Sequence, residues 1–385
     1  LSTTARKPVL VSAARTPVGK FNGALKTVDP LDLGGAAVAE VMRSSGEIVL
    51  DHVIMANIVQ AGNGQNPARS AGLRGGVETT VPAITLNNVC LASMYAAGMA
   101  SNLIKSGEMD AAIVGGFDSM SRAPHAVQLR QARAVGDEPA VDLLMKDGLW
   151  CAVSDSGMGP IADRANADIG ISRAAQDEYA VESHRRAHSA TEAGRLADEI
   201  VALNELATDE GIRHDSSTDR LQRLRPAFTE GGTVTAGNAS QMSDAGSAGL
   251  IMTEALAQAH GLEPIVEFVG TSTVAGPDPS LHLKPASAAR KLLEKTGLHV
   301  SDIGLWEVNE AFAGVALATA HDLEVDLGIV NVNGGAISIG HPLGASGFRI
   351  TMSLAFEMRR RGVDHGIATM CGGGGQGQAI LLRLR

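Results

Sequence analysis

Short apolar runs alternate with longer amphipathic stretches through the first 116 residues. Val9-Leu10-Val11-Ser12-Ala13-Ala14 reads as a buried strand, and Arg15-Thr16-Pro17-Val18-Gly19 as the turn after it. The spacing predicts a helix over about 32–42 and a second strand over 51–57. Residues 62–76, rich in Gly, Asn and Ala, form a loop and short helix. They lead to an extended run, Val81-Pro82-Ala83-Ile84-Thr85-Leu86, which ends at Asn87-Asn88-Val89-Cys90. A run of small and apolar residues over 91–104 predicts a helix. Lys105 in its last turn and Gly107 beyond it mark the stop. Ala111-Ala112-Ile113-Val114-Gly115-Gly116 is a further short buried strand. Strands alternating with helices predict parallel sheets in a layered α/β core.

The pattern changes after residue 116. Polar and charged segments dominate to about residue 232, with one clear helix over 172–193 that Ser172 can cap. Such a stretch reads as an inserted loop domain covering a site. Arg130, Arg133, Arg213, Arg220, Arg223 and Arg225 concentrate there. Singly each is an ordinary surface residue, and together they suggest a cationic rim for a phosphate-bearing ligand. Apolar alternation resumes near Gly237. A strand is predicted over 265–271 and a helix over 285–296, with Pro285 in its first turn and Gly297 past its end.

The last third repeats the logic of the first. Residues 330–333 precede a glycine-rich turn around His341, then a helix over 342–361 stopped by Gly362. A strand over 366–370 ends in Cys371-Gly372-Gly373-Gly374-Gly375. Each half therefore places a reactive residue at a helix start and returns through a strand to a glycine turn. The expected organisation is an N-terminal α/β half (1–116), a loop domain (117–248, rejoining the core near 233–248) and a C-terminal α/β half (249–385).

Composition narrows the classes. Of 385 residues 44% are hydrophobic but only 3% aromatic, and 45 are glycine, so the core must be built from small aliphatic side chains at close backbone approach. A net charge of −10 argues against general nucleic-acid binding, which needs a basic face. Three cysteines make no disulfide framework and match no zinc spacing, which points to a reducing, cytoplasmic setting without a metal. No apolar run is long enough to span a bilayer, and the first eight residues lack the apolar segment of a leader.

Candidate chemistry centres on Cys90, His341, Cys371 and Asn309. At a helix start the dipole and free amides stabilise a thiolate. Taken alone, Cys90 still reads better as a buried, unreactive thiol. The other groups change that. A cysteine nucleophile needs a base in reach, and His341 on its glycine-lined turn suits the role. Cys371 could serve as a second acid/base if a carbanion forms. The amides of Cys90 and the Gly372-Gly373 turn could hold an oxyanion. Gly372, Gly374 and Gly377 fit G-x-G-x-x-G, but no βαβ unit follows, so dinucleotide binding is set aside.

These motifs together resemble the thiolase family, the acetyl-CoA acetyltransferases and 3-ketoacyl-CoA thiolases. The matching stretches are Asn88-Val89-Cys90, Asn309-Glu310-Ala311-Phe312, Gly340-His341-Pro342-Leu343-Gly344-Ala345-Ser346-Gly347 and Cys371-x-Gly373-Gly374-Gly375-Gln376-Gly377. The resemblance implies a duplicated αβαβα core with an inserted loop domain, and Claisen chemistry on CoA thioesters. By it Cys90 is acylated, His341 activates it, and Cys371 moves a proton at the α-carbon. Asn309 would hold a water, and the Cys90 and Gly373 amides would bind an oxyanion. Arg213, Ser240, Leu149, Met158 and Ala239 would line a coenzyme A site, with coenzyme A as substrate and no cofactor. A homo-oligomer, dimer or tetramer, is implied as well.

Three stretches depart from the family pattern: Leu91-Ala92-Ser93 after the cysteine, Ser156-Gly157 in place of Tyr-His, and Leu281-His282-Leu283-Lys284-Pro285 in place of Met-Gly-x-Gly-Pro. Ala123-Pro124-His125 and Met145-Lys146-Asp147-Gly148-Leu149 look like the acetoacetyl type. The expected activity is acetyl-CoA C-acetyltransferase. A degradative thiolase for longer or branched chains, a ketosynthase-like enzyme and a non-catalytic CoA-binding relative are the alternatives.

Overall fold

The alternation at the start of the chain forms β1 (Pro8–Arg15), whose Val9 and Leu10 pack into separate hydrophobic clusters. The computed structural model describes residues 6–130, 137–203 and 206–385, so Arg133 of the expected basic group lies outside the described residues. The other long strands are β2 (His52–Ala56), β3 (Ala83–Leu86), β4 (Ala111–Ser119), β5 (Ser243–Thr253), β6 (Val266–Ala275), β7 (Leu305–Val308), β8 (His365–Gly372) and β9 (Gln376–Leu384). The principal helices are α1 (Pro30–Ser45), α2 (Pro67–Arg74), α3 (Ala92–Ser106), α4 (Met158–Ile169), α5 (Arg173–Glu192), α6 (Lys284–Thr296), α7 (Ala313–Leu323) and α8 (Leu343–Arg361).

These strands form one sheet in the order β7-β8-β9-β6-β1-β5-β4-β2-β3. Outward from the β1–β6 seam, both halves follow one plan: first strand, last strand, next-to-last strand, second strand. The duplication inferred from the sequence is built into the sheet. The parallel pairing it suggested is not general. Among these described strands only β2–β3, β2–β4 and β7–β8 run parallel. β8 and β9 are joined by a tight glycine turn, which forces antiparallel neighbours, and β5 returns antiparallel between β1 and β4 after the long excursion. The boundary expected at 248/249 falls inside β5, which pairs with strands of the N-terminal half on both sides.

Helices α3 and α8 make the middle layer. Their core joins Met94, Ala97, Phe348 and Met352 to Leu10, Val114, Phe268 and Met370 from strands of both halves. α1 and α2 cover the outer face of the first half over Val53 and Phe117. α6 and α7 cover the second over Trp306 and Ile367. The middle layer is tight: a Cβ on Gly347 of α8 would lie 2.6 Å from the Met94 nitrogen of α3. Side-chain volume is excluded at such a crossing, which explains a glycine-rich, aromatic-poor composition.

Between β4 and β5 lie α4, α5 and two short hairpins, pairing 125–126 with 141–142 and 150–151 with 156–157. Ser172 caps α5 by accepting from the Ala175 N–H at 3.2 Å. Among the described residues no helix is long and apolar enough to cross a membrane.

Candidate active site

Cys90 stands in the turn from β3 to α3, just before the Leu91 N-cap. The turn is strained. Val89 has φ 50°, a left-handed conformation that costs a β-branched residue about 1–3 kcal/mol. The Asn87 side-chain oxygen accepts from the Val89 N–H at 3.1 Å, and the Val89 carbonyl accepts from the Ala92 N–H at 3.1 Å. The result leaves Cys90 partly exposed while Leu91 is fully buried. Leu91 packs beneath Gly372, whose added Cβ would lie 2.6 Å from it.

His341 follows Gly340, which has φ 119° and sits so close to Ser243 that a Cβ would overlap the hydroxyl. The His341 N–H donates to the Gln241 carbonyl at 2.9 Å. Its Nδ1 lies 2.6 Å from the Ser346 hydroxyl oxygen. That hydroxyl donates its one proton to the Pro342 carbonyl at 2.8 Å. Nδ1 must therefore carry the ring proton, and Nε2 is left with a free lone pair. Nε2 is buried with no protein partner among the described residues. Burial, helped by the charge of Arg349, pulls His341 down to about 3, so the ring rests neutral.

Cys371 lies on β8, buried, at the mouth of the glycine turn. Although Cys90 keeps part of its surface open to the cavity, protein surrounds its thiol, and that desolvation pushes it up to about 12, against the opposing pull of the N–H groups of Cys90 and Gly373. Cys371 is pushed up first by burial and then by the neighbouring Cys90. The resting set is two thiols and a neutral imidazole.

A cavity of about 60 Å³ brings Cys90, His341, Cys371 and Gly373 together with Leu149, Met158, Ser240 and Leu281. A larger one of about 560 Å³ shares Leu149, Met158, Ser240 and His341 and extends past Ala239 and Phe228 to Arg213. Of the catalytic and coenzyme A residues expected from the sequence, Asn309 alone lines neither cavity; it is fully buried, and both atoms of its amide lack a protein partner among the described residues. Among the five described arginines of the expected rim only Arg213 lines the larger cavity; Arg220 is paired with Asp215, and Arg130, Arg223 and Arg225 line neither. Of the departing stretches, Leu281 reaches the inner cavity and Leu91 does not.

Sequence reasoning passed over the residues that hold these groups. Asp118, at the end of β4, accepts from the N–H groups of Ile58 (3.1 Å), Val59 (3.1 Å) and Gly344 (2.6 Å) and from the Asn57 amide (2.8 Å). It ties the first turn of α8 to β2 and β4. Burial raises its carboxyl to about 7 despite those donors. Glu310 accepts from Tyr179 (2.9 Å), Ser183 (2.8 Å), Asn331 (3.0 Å) and the Ile337 N–H (3.0 Å), joining α5 to the turn that carries His341. The available signal was a carboxylate directly after an apolar strand, which must find donors if buried.

The same order of elements recurs in known proteins. Residues 8–255 match the description "Thiolase, N-terminal domain", and residues 262–384 match "Thiolase, C-terminal domain". The chain belongs to the thiolase family. This thiolase is 44% identical to the acetyl-CoA acetyltransferase of Rhizobium meliloti, over 97% of each chain. It is 42% identical to a probable acetyl-CoA acetyltransferase of Mycolicibacterium smegmatis, over 97% of its own length and 100% of that protein. The crystal structure of the Bacillus anthracis acetyl-CoA acetyltransferase superposes on it with a TM-score of 0.95, at 36% identity and with 100% of both chains covered. The two matches part between residues 255 and 262, just after β5.

Proposed function

We propose that this thiolase is an acyltransferase that cleaves and forms 3-ketoacyl-CoA through an acyl-Cys90 intermediate, acting as an acetyl-CoA C-acetyltransferase on acetoacetyl-CoA. The observation that carries the reading is the convergence of Cys90, His341 and Cys371 on one cavity of about 60 Å³. That space suits a short acyl group.

In thiolysis, His341 Nε2 accepts the Cys90 proton as the sulfur attacks the ketone carbonyl. With the thiol near 12 and the imidazole near 3, a free ion pair is not the resting state. Proton transfer therefore accompanies C–S bond formation. The carbon–carbon bond breaks, and the departing carbanion takes a proton from Cys371 and leaves as acetyl-CoA. Free CoA then gives its thiol proton to the Cys371 thiolate and attacks acetyl-Cys90; a second acetyl-CoA leaves, and the His341 imidazolium returns its proton to the Cys90 sulfur. Synthesis runs these steps in reverse, with Cys371 removing the α-proton. The amides of Cys90 and Gly373 stabilise one oxyanion. His341 Nε2 and a water on the otherwise unpaired Asn309 amide stabilise the other. Coenzyme A runs along the larger cavity, with Arg213 toward its phosphates, Ser240 toward the pantetheine, and Leu149, Met158 and Ala239 beside it.

A homo-oligomer is part of the proposal, supported by the open edge of β3 with Ile84 exposed and by Tyr95 exposed on α3. A cytoplasmic setting keeps both reactive thiols reduced.

Thiolysis of a 3-ketoacyl-CoA series with free CoA tests the reading. The highest kcat/KM is expected on acetoacetyl-CoA. A preference for long or branched chains would replace it with a degradative thiolase, and no cleavage by folded protein would remove the enzymatic reading. Cys371→Ala is expected to keep acetylation of Cys90 by acetyl-CoA and to lose carbon–carbon bond chemistry.

A further inference from the structure

The turn that carries Gly373 is held from behind, and the hold converges on a buried lysine. Lys284 opens α6 and is 5% exposed. Its Nζ donates to the Gly276 carbonyl at 2.9 Å and to the Asp278 carboxylate at 3.3 Å. The Gly276 N–H in turn donates to the Gly375 carbonyl at 2.9 Å. Gly375 lies so close to this segment that an added Cβ would overlap the Asp278 carbonyl, and Gly377 rests in the same way on the Lys284 carbonyl. Within the turn, the Gln376 side chain donates to the Gly373 carbonyl at 3.1 Å. Segment 276–278, Lys284 and turn 372–376 are thus one packed unit. The front of that unit is the Gly373 N–H, directed at the Cys90 sulfur.

We propose that Lys284 is a positioning residue for the Gly373 amide. By clamping segment 276–278 behind the glycine turn it fixes the donor that stabilises negative charge on Cys90. Its further effect on the oxyanion rests on the reaction proposed above. An oxyanion donor works only when placed in advance, and a displacement of about 1 Å can cost about a hundredfold in rate. A partial release of the turn is expected to cost about tenfold.

The test compares Lys284→Met, which keeps the stem and loses the donors, with Lys284→Arg, which keeps donors. The first readout is the pH profile of iodoacetamide alkylation at Cys90, followed by peptide mass spectrometry that separates Cys90 from Cys151 and Cys371. An amide donor lowers a thiol pKa, so loosening it raises the apparent pKa and slows alkylation at a fixed lower pH. Lys284→Met is expected to slow it about tenfold, to lower kcat for thiolysis about tenfold, and to leave KM for CoA within about twofold. Lys284→Arg is expected to restore most of both. A Lys284→Met protein that folds and keeps the wild-type profile and kcat overturns the proposal. Should that variant fail to fold, Asp278→Asn removes the charged partner of the ammonium. A smaller shift in the same direction is then expected, and an unchanged profile overturns the proposal. If wild-type protein alkylates normally yet cleaves no 3-ketoacyl-CoA, the reaction reading fails while the alkylation profile still judges Lys284.

Discussion

The duplicated halves present their reactive groups by different means. Before α3 the chain takes a strained turn through Val89, held by a few local hydrogen bonds, and Cys90 comes out partly exposed. Before α8 the left-handed position is a glycine, and the turn is clamped by Gln241, Ser346 and Asp118. His341 there is only 6% exposed. A nucleophile has to reach its substrate, so strain that lifts it out is useful. A base has to keep one tautomer and one direction, so hydrogen bonding that fixes it is useful.

The sharpest test of that contrast removes the groups themselves. Cys90→Ala is expected to abolish acylation. His341→Ala is expected to lower kcat by about 10²–10⁴ while the protein stays folded, as measured by single-turnover acylation. Wild-type acylation by the His341→Ala protein would show that another group takes the Cys90 proton. Next comes the clamp. In Ser346→Ala the imidazole loses the acceptor that sets its tautomer, and kcat is expected to fall about tenfold at nearly unchanged KM. A wild-type rate would show that the tautomer is set elsewhere.

The pH profile sharpens the same point. Because burial holds His341 near 3, the base stays available at every pH above that value. Cys90 acylation should therefore show no acid limb around the ordinary histidine pKa of about 6.5. A limb there would mean that the ring is far better hydrated in the working enzyme. The smallest effect is expected at the strained turn. Val89→Gly relieves the left-handed strain but loses packing and frees the unfolded chain, so stability in urea should change by less than about 1 kcal/mol. A loss of several kcal/mol would show that Val89 is held by packing rather than bearing strain.

Much of this was legible in the sequence because it is local. The small-residue runs that become α3 and α8 end in cations and then in left-handed caps at Gly107 and Gly362, with φ 85° and 66°. The repeated order of reactive residue, helix, strand and glycine turn brought Cys90, His341 and Cys371 to one site. Strand direction was not legible, since the pairing of β5 between β1 and β4 depends on a connection of more than a hundred residues. Nor were Asp118, Glu310 and Ser346, because a buried carboxylate or hydroxyl is defined by donors that tertiary packing delivers. Asp118, for instance, meets Gly344 at a separation of 226 residues. Arg220 looked free for a phosphate and is paired with Asp215. Lys284 looked like a departure from a motif and is an internal clamp.

β1 and β6 meet through two residue pairs, Val9 with Glu267 and Leu10 with Val266, and the halves spread from that seam in matching order. Two identical subunits around a dyad would be obliged to carry the same residue at both helix starts. A single chain with a seam of this kind escapes that obligation. One half is free to specialise in sulfur and the other in nitrogen, and each can drift in ways its twin could not tolerate. The division of labour between Cys90 and His341 is thus one that the covalent joining of two like folds permits.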